Sequence, residues 1–392
     1  MDRLIAVDRA LRAGAPHTLL EIVTTALATE YGAERVELRL ADYAVRSLQA
    51  VERAPRRTEP VGIHDSPQGR AFGSQEPVVV EGGATGAVDV HLPVTIRGDR
   101  MGVLSVRLPG DCPLDTVLPE MRHICEALGH EILVAERDTD LYVLARRAAR
   151  LTLAAEMQWQ LLPGRACSRT EFSLGAHLEP AYAIFGDNYD WSISADDLIL
   201  TVTNGMGQGI DAALLTNLAV NALRNARRAG LGLADQAALA DQAVYAQYHG
   251  RTYVSVLLLR FVLATGEVEV VDAGSPRAWR MRAGVVEPLR FEAQLPLGMF
   301  EDTPYVTQPF SVEPGDRLLF ASDGVYGVPS SASEHYGERA LARSLSATRL
   351  LPPSQVPAAM LRDLAAHHGE TPLDDDALVM CLDWYGPSPK TP

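Results

Sequence analysis

The stretch that most constrains this chain is Gly186-Asp187-Asn188-Tyr189-Asp190, followed by the run Asp-Leu-Ile-Leu-Thr-Val-Thr (197–203) and then Asn204-Gly205-Met206-Gly207-Gln208-Gly209. An apolar, β-branched run bounded by turn residues predicts a strand. From Ile210 the pattern changes, and Leu214, Leu215, Leu218 and Ala222 recur at the spacing of one helical face. A strand that ends in Asn-Gly and passes straight into a helix sets polar oxygens at the end of a sheet. Acids from other strand ends can meet them there.

Such acids follow downstream. Asp323-Gly324 closes the apolar run 317–322, and Asp374-Asp375-Asp376 opens the run 377–382. Three acidic strand ends and one asparagine make an oxygen donor set of the kind that Mg²⁺ or Mn²⁺ prefers. Taken singly, each of these turns is also what caps an ordinary strand.

The order of the motifs narrows the choice. Gly-Asp-x-Tyr-Asp, Gly-Met-Gly-x-Gly opening a helix, Pro-Leu-Gly (296–298), Pro-Gly-Asp (314–316), Ser-Asp-Gly-Val (322–325) and Asp-Asp-x-x-Leu (374–378) occur in that sequence. The series resembles the metal-dependent protein phosphatases related to protein phosphatase 2C, of the bacterial SpoIIE/RsbU type, over residues 154–383. The resemblance implies an α+β chain whose residues 164–386 form an α-β-β-α two-sheet sandwich. It also implies hydrolysis of phosphoserine or phosphothreonine in a phosphoprotein of the anti-sigma-factor-antagonist type, with two Mn²⁺ or Mg²⁺ ions. Asp187, Asp323 and Asp374 would then be catalytic metal ligands, and Gly205 would offer its carbonyl beside residue 204. Two such ions activate water directly, so no Ser-His-Asp or Cys nucleophile pattern is needed.

Position 204 departs from the family. Relatives carry Asp before that glycine, and its carboxylate bridges two ions; an Asn offers one carbonyl oxygen and no charge. Asp190 and Asp375 are near enough in sequence to compensate, although turn acids are their commoner role. Two readings follow: a working metal-dependent phosphatase, or a pseudophosphatase that keeps the fold and binds partners without turnover. Ser275, Ala377 and Gln208 are lesser departures, where relatives carry His, Thr and a basic residue or His.

At 392 residues the chain is long enough for two domains. A formal net charge of −15 argues against a nucleic-acid partner. Cys112, Cys125, Cys167 and Cys381 are scattered without metal spacing, which suits a reducing, cytoplasmic setting. No apolar run approaches the roughly 20 residues of a membrane span. Residues 18–31 read as a helix, 35–40, 47–51, 77–81, 87–94 and 102–108 as strands, and 118–135 as a helix again. Helix, strands and helix, with Gly-Asp-Arg-Met-Gly-Val-Leu-Ser-Val at 98–106, resemble a GAF domain, which implies a sensor over residues 1–136.

Residues 131–162 hold no Gly or Pro, and Leu141, Leu144, Ala148, Leu151, Ala155, Gln158 and Leu162 follow a 3-4 spacing. That predicts a coiled-coil linker over 137–163 that joins two copies of the chain as a homodimer. The alternative is a helix lying on its own domain. After helices at 210–228 and 233–247, strands are expected at 253–262, 267–272, 278–282 and 285–289. Residues 387–392 read as a loose tail.

Overall fold

The computed structural model describes residues 2–52, 58–81, 86–179, 186–327, 337–368 and 375–387. The chain divides into two compact units, Met1–Arg150 and Leu151–Pro392.

The first unit runs α1 (Asp2–Ala13), α2 (Leu19–Tyr31), β1 (Arg35–Ala41), β2 (Ser47–Ala50), β3 (Val61–Gly62), α3 (Pro67–Ser74), β4 (Val78–Glu81), β5 (Val88–Ile96), β6 (Asp99–Leu108), α4 (Leu114–Ala135) and α5 (Leu141–Ala145). Its strands form an antiparallel sheet in the order β3-β2-β1-β6-β5-β4. Period-two alternation sorts the two faces. Leu104, Val106 and Leu108 join Leu38, Leu40, Val90 and Leu92 in a core with α1, α2 and α4. Val103 and Ala41 turn the other way, against Ala71 and Phe72 of α3. The unit is therefore sheet and helix, as expected. Helix α4 begins a turn earlier than the spacing suggests and carries Pro119 inside it.

The linker differs from expectation. One helix over 131–162 does not form: α4 stops at Ala135, α5 covers five residues, and α6 (Leu153–Leu161) starts afresh. Two local features break it. Thr139 offers the backbone a side-chain partner, with Leu141 N–H donating to its Oγ1 at 3.3 Å. Thr152, in extended conformation, then caps α6 by accepting from Ala155 N–H at 3.1 Å. The seam residues Leu141 to Leu162 thus fall in separate segments, and the continuous coiled coil is absent.

The second unit continues from α6 through β7 (Ala166–Ser168), β8 (Phe172–Glu179), β9 (Asp187–Ile193), β10 (Asp197–Gly205), α7 (Gly209–Arg228), α8 (Leu233–Tyr248), β11 (Val254–Val262) and β12 (Glu267–Ala273). It closes with β13 (Arg277–Arg282), β14 (Val285–Leu289), β15 (Gln308–Ser311), β16 (Arg317–Ala321), α9 (Asp323–Tyr326), α10 (Gly337–Ala347), α11 (Val356–His368) and β17 (Ala377–Trp384). The strands form two antiparallel sheets, β15-β12-β11-β10-β9 and β14-β13-β16-β17-β8-β7. Their facing sides share one core, in which Leu198, Leu200, Val202, Leu257, Leu259 and Phe261 of the first sheet meet Leu174, Leu318, Phe320, Met380, Leu382 and Trp384 of the second. The outer face of the first sheet packs on α7 and α8 through Leu215, Leu223, Val244, Val256 and Leu258. That of the second packs on α10 and α11 through Leu319, Val379, Leu341, Leu345 and Met360. Helices, two sheets and helices form the expected four layers. Among the described residues no helix is long and apolar enough to cross a membrane.

Candidate metal centre

The two sheets bring acids together because each strand in question ends at the same end of its sheet. Asn204, next to last in β10, stands opposite Asp187, the first residue of β9. From the second sheet, Asp323 follows β16 through Ser322, and Asp375 and Asp376 precede β17. The sheets are joined at this end by Asp187 N–H donating to Asp376 Oδ2 at 3.3 Å. Within the second sheet, Ser322 N–H donates to Leu378 O at 3.1 Å, and Leu378 N–H to Ser322 Oγ at 3.0 Å.

Glycines make the close approaches possible. Gly186 has φ +108°, and a Cβ there would lie 2.0 Å from Gly205 O. Gly205 N–H donates back to Gly186 O at 3.0 Å, so the first expected ligand strand and the Asn-Gly turn are clasped through backbone alone. A Cβ on Gly324 would lie 1.9 Å from Asp376 O, so this glycine lets the Asp323 turn seat on the strand that carries the other acids. Thr216 of α7 donates to Gly186 O at 2.9 Å. Gln158 of α6, 4% exposed, donates through Nε2 to the Asp187 carbonyl.

Asp187 is 1% exposed, and neither of its carboxylate oxygens has a hydrogen-bond partner. Its pKa is driven well above the ordinary carboxylate value, by burial first and then by the charges of Asp376, Asp323 and Asp375. Ser322, nearby but outside hydrogen-bond geometry, offsets this only in part. Asp375 is raised too, chiefly by burial, with the Asp376 N–H opposing and Asp323 adding to the rise. A buried, unpartnered carboxylate among other acids is costly unless a proton or cation compensates it.

Asn204, expected as a ligand beside Gly205, reaches the acid of the other sheet. Its Nδ2 donates to Asp323 Oδ1, so the amide and that acid are direct neighbours. Gly205, whose carbonyl was the other expected donor, is buried with that oxygen packed against Gly186. Asp190 lies on the opposite side of β9, where Arg224 meets it at 2.8 Å and Arg227 at 3.0 Å; it takes no part in the cluster. Asp374 lies outside the described residues, and among those described no group of three or more His, Cys, Asp or Glu stands in metal-binding geometry. Sequence reasoning passed over Asp376, which is fully buried. The signal was its place just before the buried residue Ala377, but a run of three aspartates does not say which one turns inward. Gln158 also went unread as part of this site, because its seam spacing assigned it to a coiled coil.

Oxygen donors, a buried carboxylate without a partner and mutual repulsion suit a hard divalent cation. Asp187, Asp323 and Asp375 or Asp376 are the side chains available to it among the described residues.

Comparisons agree with this architecture. Residues 194–385 match the family model of stage II sporulation protein E (SpoIIE). Among solved structures the chain is similar to the SiaA-PP2C domain of Pseudomonas aeruginosa, at 21% identity and a TM-score of 0.50, covering 59% of this chain and 94% of that one. A structure of the RsbU and RsbW domains of a Mycobacterium tuberculosis protein aligns at 21% identity and a TM-score of 0.49, covering 56% of this chain and 63% of that one. The PP2C phosphatase domain of Bacillus subtilis SpoIIE with a fragment of its regulatory domain aligns at 18% and 0.48, covering 56% and 64%. The chain therefore spans less than two thirds of the latter two structures. No curated protein matches it. The C-terminal unit has the PP2C phosphatase fold.

Proposed function

We propose that this chain is a metal-dependent protein serine/threonine phosphatase acting on a phosphoprotein of the anti-sigma-factor-antagonist type, with the N-terminal unit as a GAF-like input domain. The observation that carries the reading is Asp187 of the first sheet, which is buried, unpartnered and faced by the acids of the second sheet. Structural carboxylates in such surroundings are normally paired, as Asp190 is. The free thiols of Cys112, Cys125, Cys167 and Cys381 suit a cytoplasmic location.

The residues that would hold Mn²⁺ or Mg²⁺ are Asp187, Asp323 and Asp374, with Asp375 and Asp376 beside them and the Gly205 carbonyl as a backbone donor. When bound, such ions lower the pKa of water and neutralise charge on a transferring phosphoryl group. The chain's own part is to fix its acids. Asp376 grips the Asp187 backbone N–H, and Gln158 holds the Asp187 carbonyl from the other side. Gly186 and Gly324 remove the Cβ atoms that would keep the turns apart.

A second reading is favoured by one observation. The Asn204 amide donates to Asp323, which gives that acid a partner of the kind a cation would otherwise supply. On this reading the chain is a pseudophosphatase that binds phosphoprotein without turnover.

Phosphate release from a phosphoserine peptide across a Mn²⁺ titration separates the two. Wild-type release that requires Mn²⁺ and is lost in Asp323→Ala is the expected result. Release seen only in Asn204→Asp would establish the pseudophosphatase. No release from either protein would sink the catalytic reading.

A further inference from the structure

Divalent ions would offset the charge of the acid cluster, and a side-chain cation at its rim would add a contact specific to a phosphate ester; the structure offers a candidate. Arg277 opens β13, where it pairs with Ala321 of β16, two residues before Asp323. Its side chain is exposed, and its guanidinium lies 4.3 Å from the centroid of the Tyr326 ring. Tyr326 is the last residue of the short helix that Asp323 begins, and its hydroxyl donates to Ser275 O. The loop between β12 and β13 is pinned on its other side as well. Gly274, at φ +141°, packs so closely on Ser255 that a Cβ would fall 2.3 Å from Ser255 Cβ. Ser255 is the residue of β11 that stands opposite Asn204. Arg277 is thus held between the strand beside Asn204 and the turn that carries Asp323.

Several other arginines of this unit are committed to acids: Arg224 and Arg227 to Asp190, Arg282 to Asp316 and Glu313, Arg280 to Glu287, and Arg317 to Asp383. Among the described residues Arg277 has neither a hydrogen bond nor an ion pair; it lies over the Tyr326 ring, and its charge also reaches Asp272. An arginine laid on an aromatic face keeps its planar fork of donors free for a bidentate oxyanion.

We propose that Arg277 binds the phosphoryl group of the substrate, forming with Tyr326 a phosphomonoester subsite at the rim of the acid cluster. This rests on the phosphatase reading for its substrate class. It adds which residue distinguishes a phosphorylated from an unphosphorylated serine.

The test uses the full chain in Mn²⁺ with a phosphoserine peptide, and inorganic phosphate as product inhibitor. Arg277→Gln should raise both KM and the phosphate inhibition constant by about tenfold, the loss of one charge-assisted contact, with the Mn²⁺ midpoint unchanged. Arg277→Lys, which keeps the charge but not the fork, should fall between. Unchanged KM and inhibition constant would overturn the assignment while leaving a working phosphatase. A Mn²⁺ midpoint that shifts by the same factor would overturn it too, placing the effect in the acid cluster.

If the wild type releases no phosphate, the phosphatase reading fails, and binding decides the role of Arg277. Fluorescence anisotropy then compares a labelled phosphoserine peptide with its unphosphorylated twin. A preference for the phosphorylated peptide that disappears in Arg277→Gln upholds the subsite. No preference in the wild type, or the same preference in both proteins, overturns it.

Discussion

A carboxyl group two residues short of the Gly274 turn shows how single positions in this unit are tuned. Burial pushes Asp272 up to about 6, against the opposing effects of the Gly274 backbone and Arg277. Its Oδ1 is buried without a partner. Because the folded value lies above the ordinary one of about 3.9, folding favours the protonated form. The stabilisation is complete below about pH 4 and is lost as pH rises through 6. Asp272→Asn should therefore flatten the dependence of stability on pH between about 4 and 6, read as urea midpoints across that window; an unaltered slope would contradict it. Residue-level roles were only partly legible beforehand. Residue type marked Asp187, Asp323 and Asn204 as candidates, since acids and amides at strand ends before glycine are conspicuous. It could not say that the Asn204 amide would donate to Asp323, because that depends on a partner 119 positions away. It left Asp190 undecided, although strand alternation after Asp187 puts residue 190 on the opposite face.

At the level of elements, α7 is fastened to β9 by polar contacts as well as by its apolar stripe. Arg224 reaches both Asp190 and the last carbonyl of α6, Leu161 O at 2.6 Å, while Arg227 adds a second contact to Asp190. Removing the acid strands two mostly buried guanidinium groups, a change that typically costs about 3 kcal/mol. Asp190→Ala should lower the stability of the C-terminal unit by about that amount in chemical denaturation. Adding Arg224→Met should recover part of the loss, because an apolar side chain needs no counter-ion. Strands and helices with clear periods, such as β10, α7 and β11, were readable because burial on one face imposes the period directly. The linker was misread because heptad spacing reports only which residues are apolar. It does not weigh the Thr139 side chain that competes for the backbone, or the cap at Thr152 that starts a new helix. Helices α10 and α11 were passed over, although Leu341 and Leu345, then Val356, Met360 and Leu364, fall at helical spacing and are buried. They carry no motif that draws the eye.

For the molecule as a whole, the two units have separate cores, so unfolding need not be a single event. Calorimetry should resolve two transitions, with Mn²⁺ raising the one that belongs to the C-terminal unit and a chelator lowering it. A ligand that binds only the folded form stabilises by mass action, about 2.7 kcal/mol at a hundred times its dissociation constant. A single transition indifferent to Mn²⁺ would argue against both the separation and the cation site. The clasp between Asp187 and Asp376 gives that shift a direction. One acid belongs to each sheet, so their repulsion acts as a wedge at one edge of the shared core. A chain stripped of cations would then begin to open where its chemistry is done, and loss of activity on chelation and the first step of melting would be the same physical event.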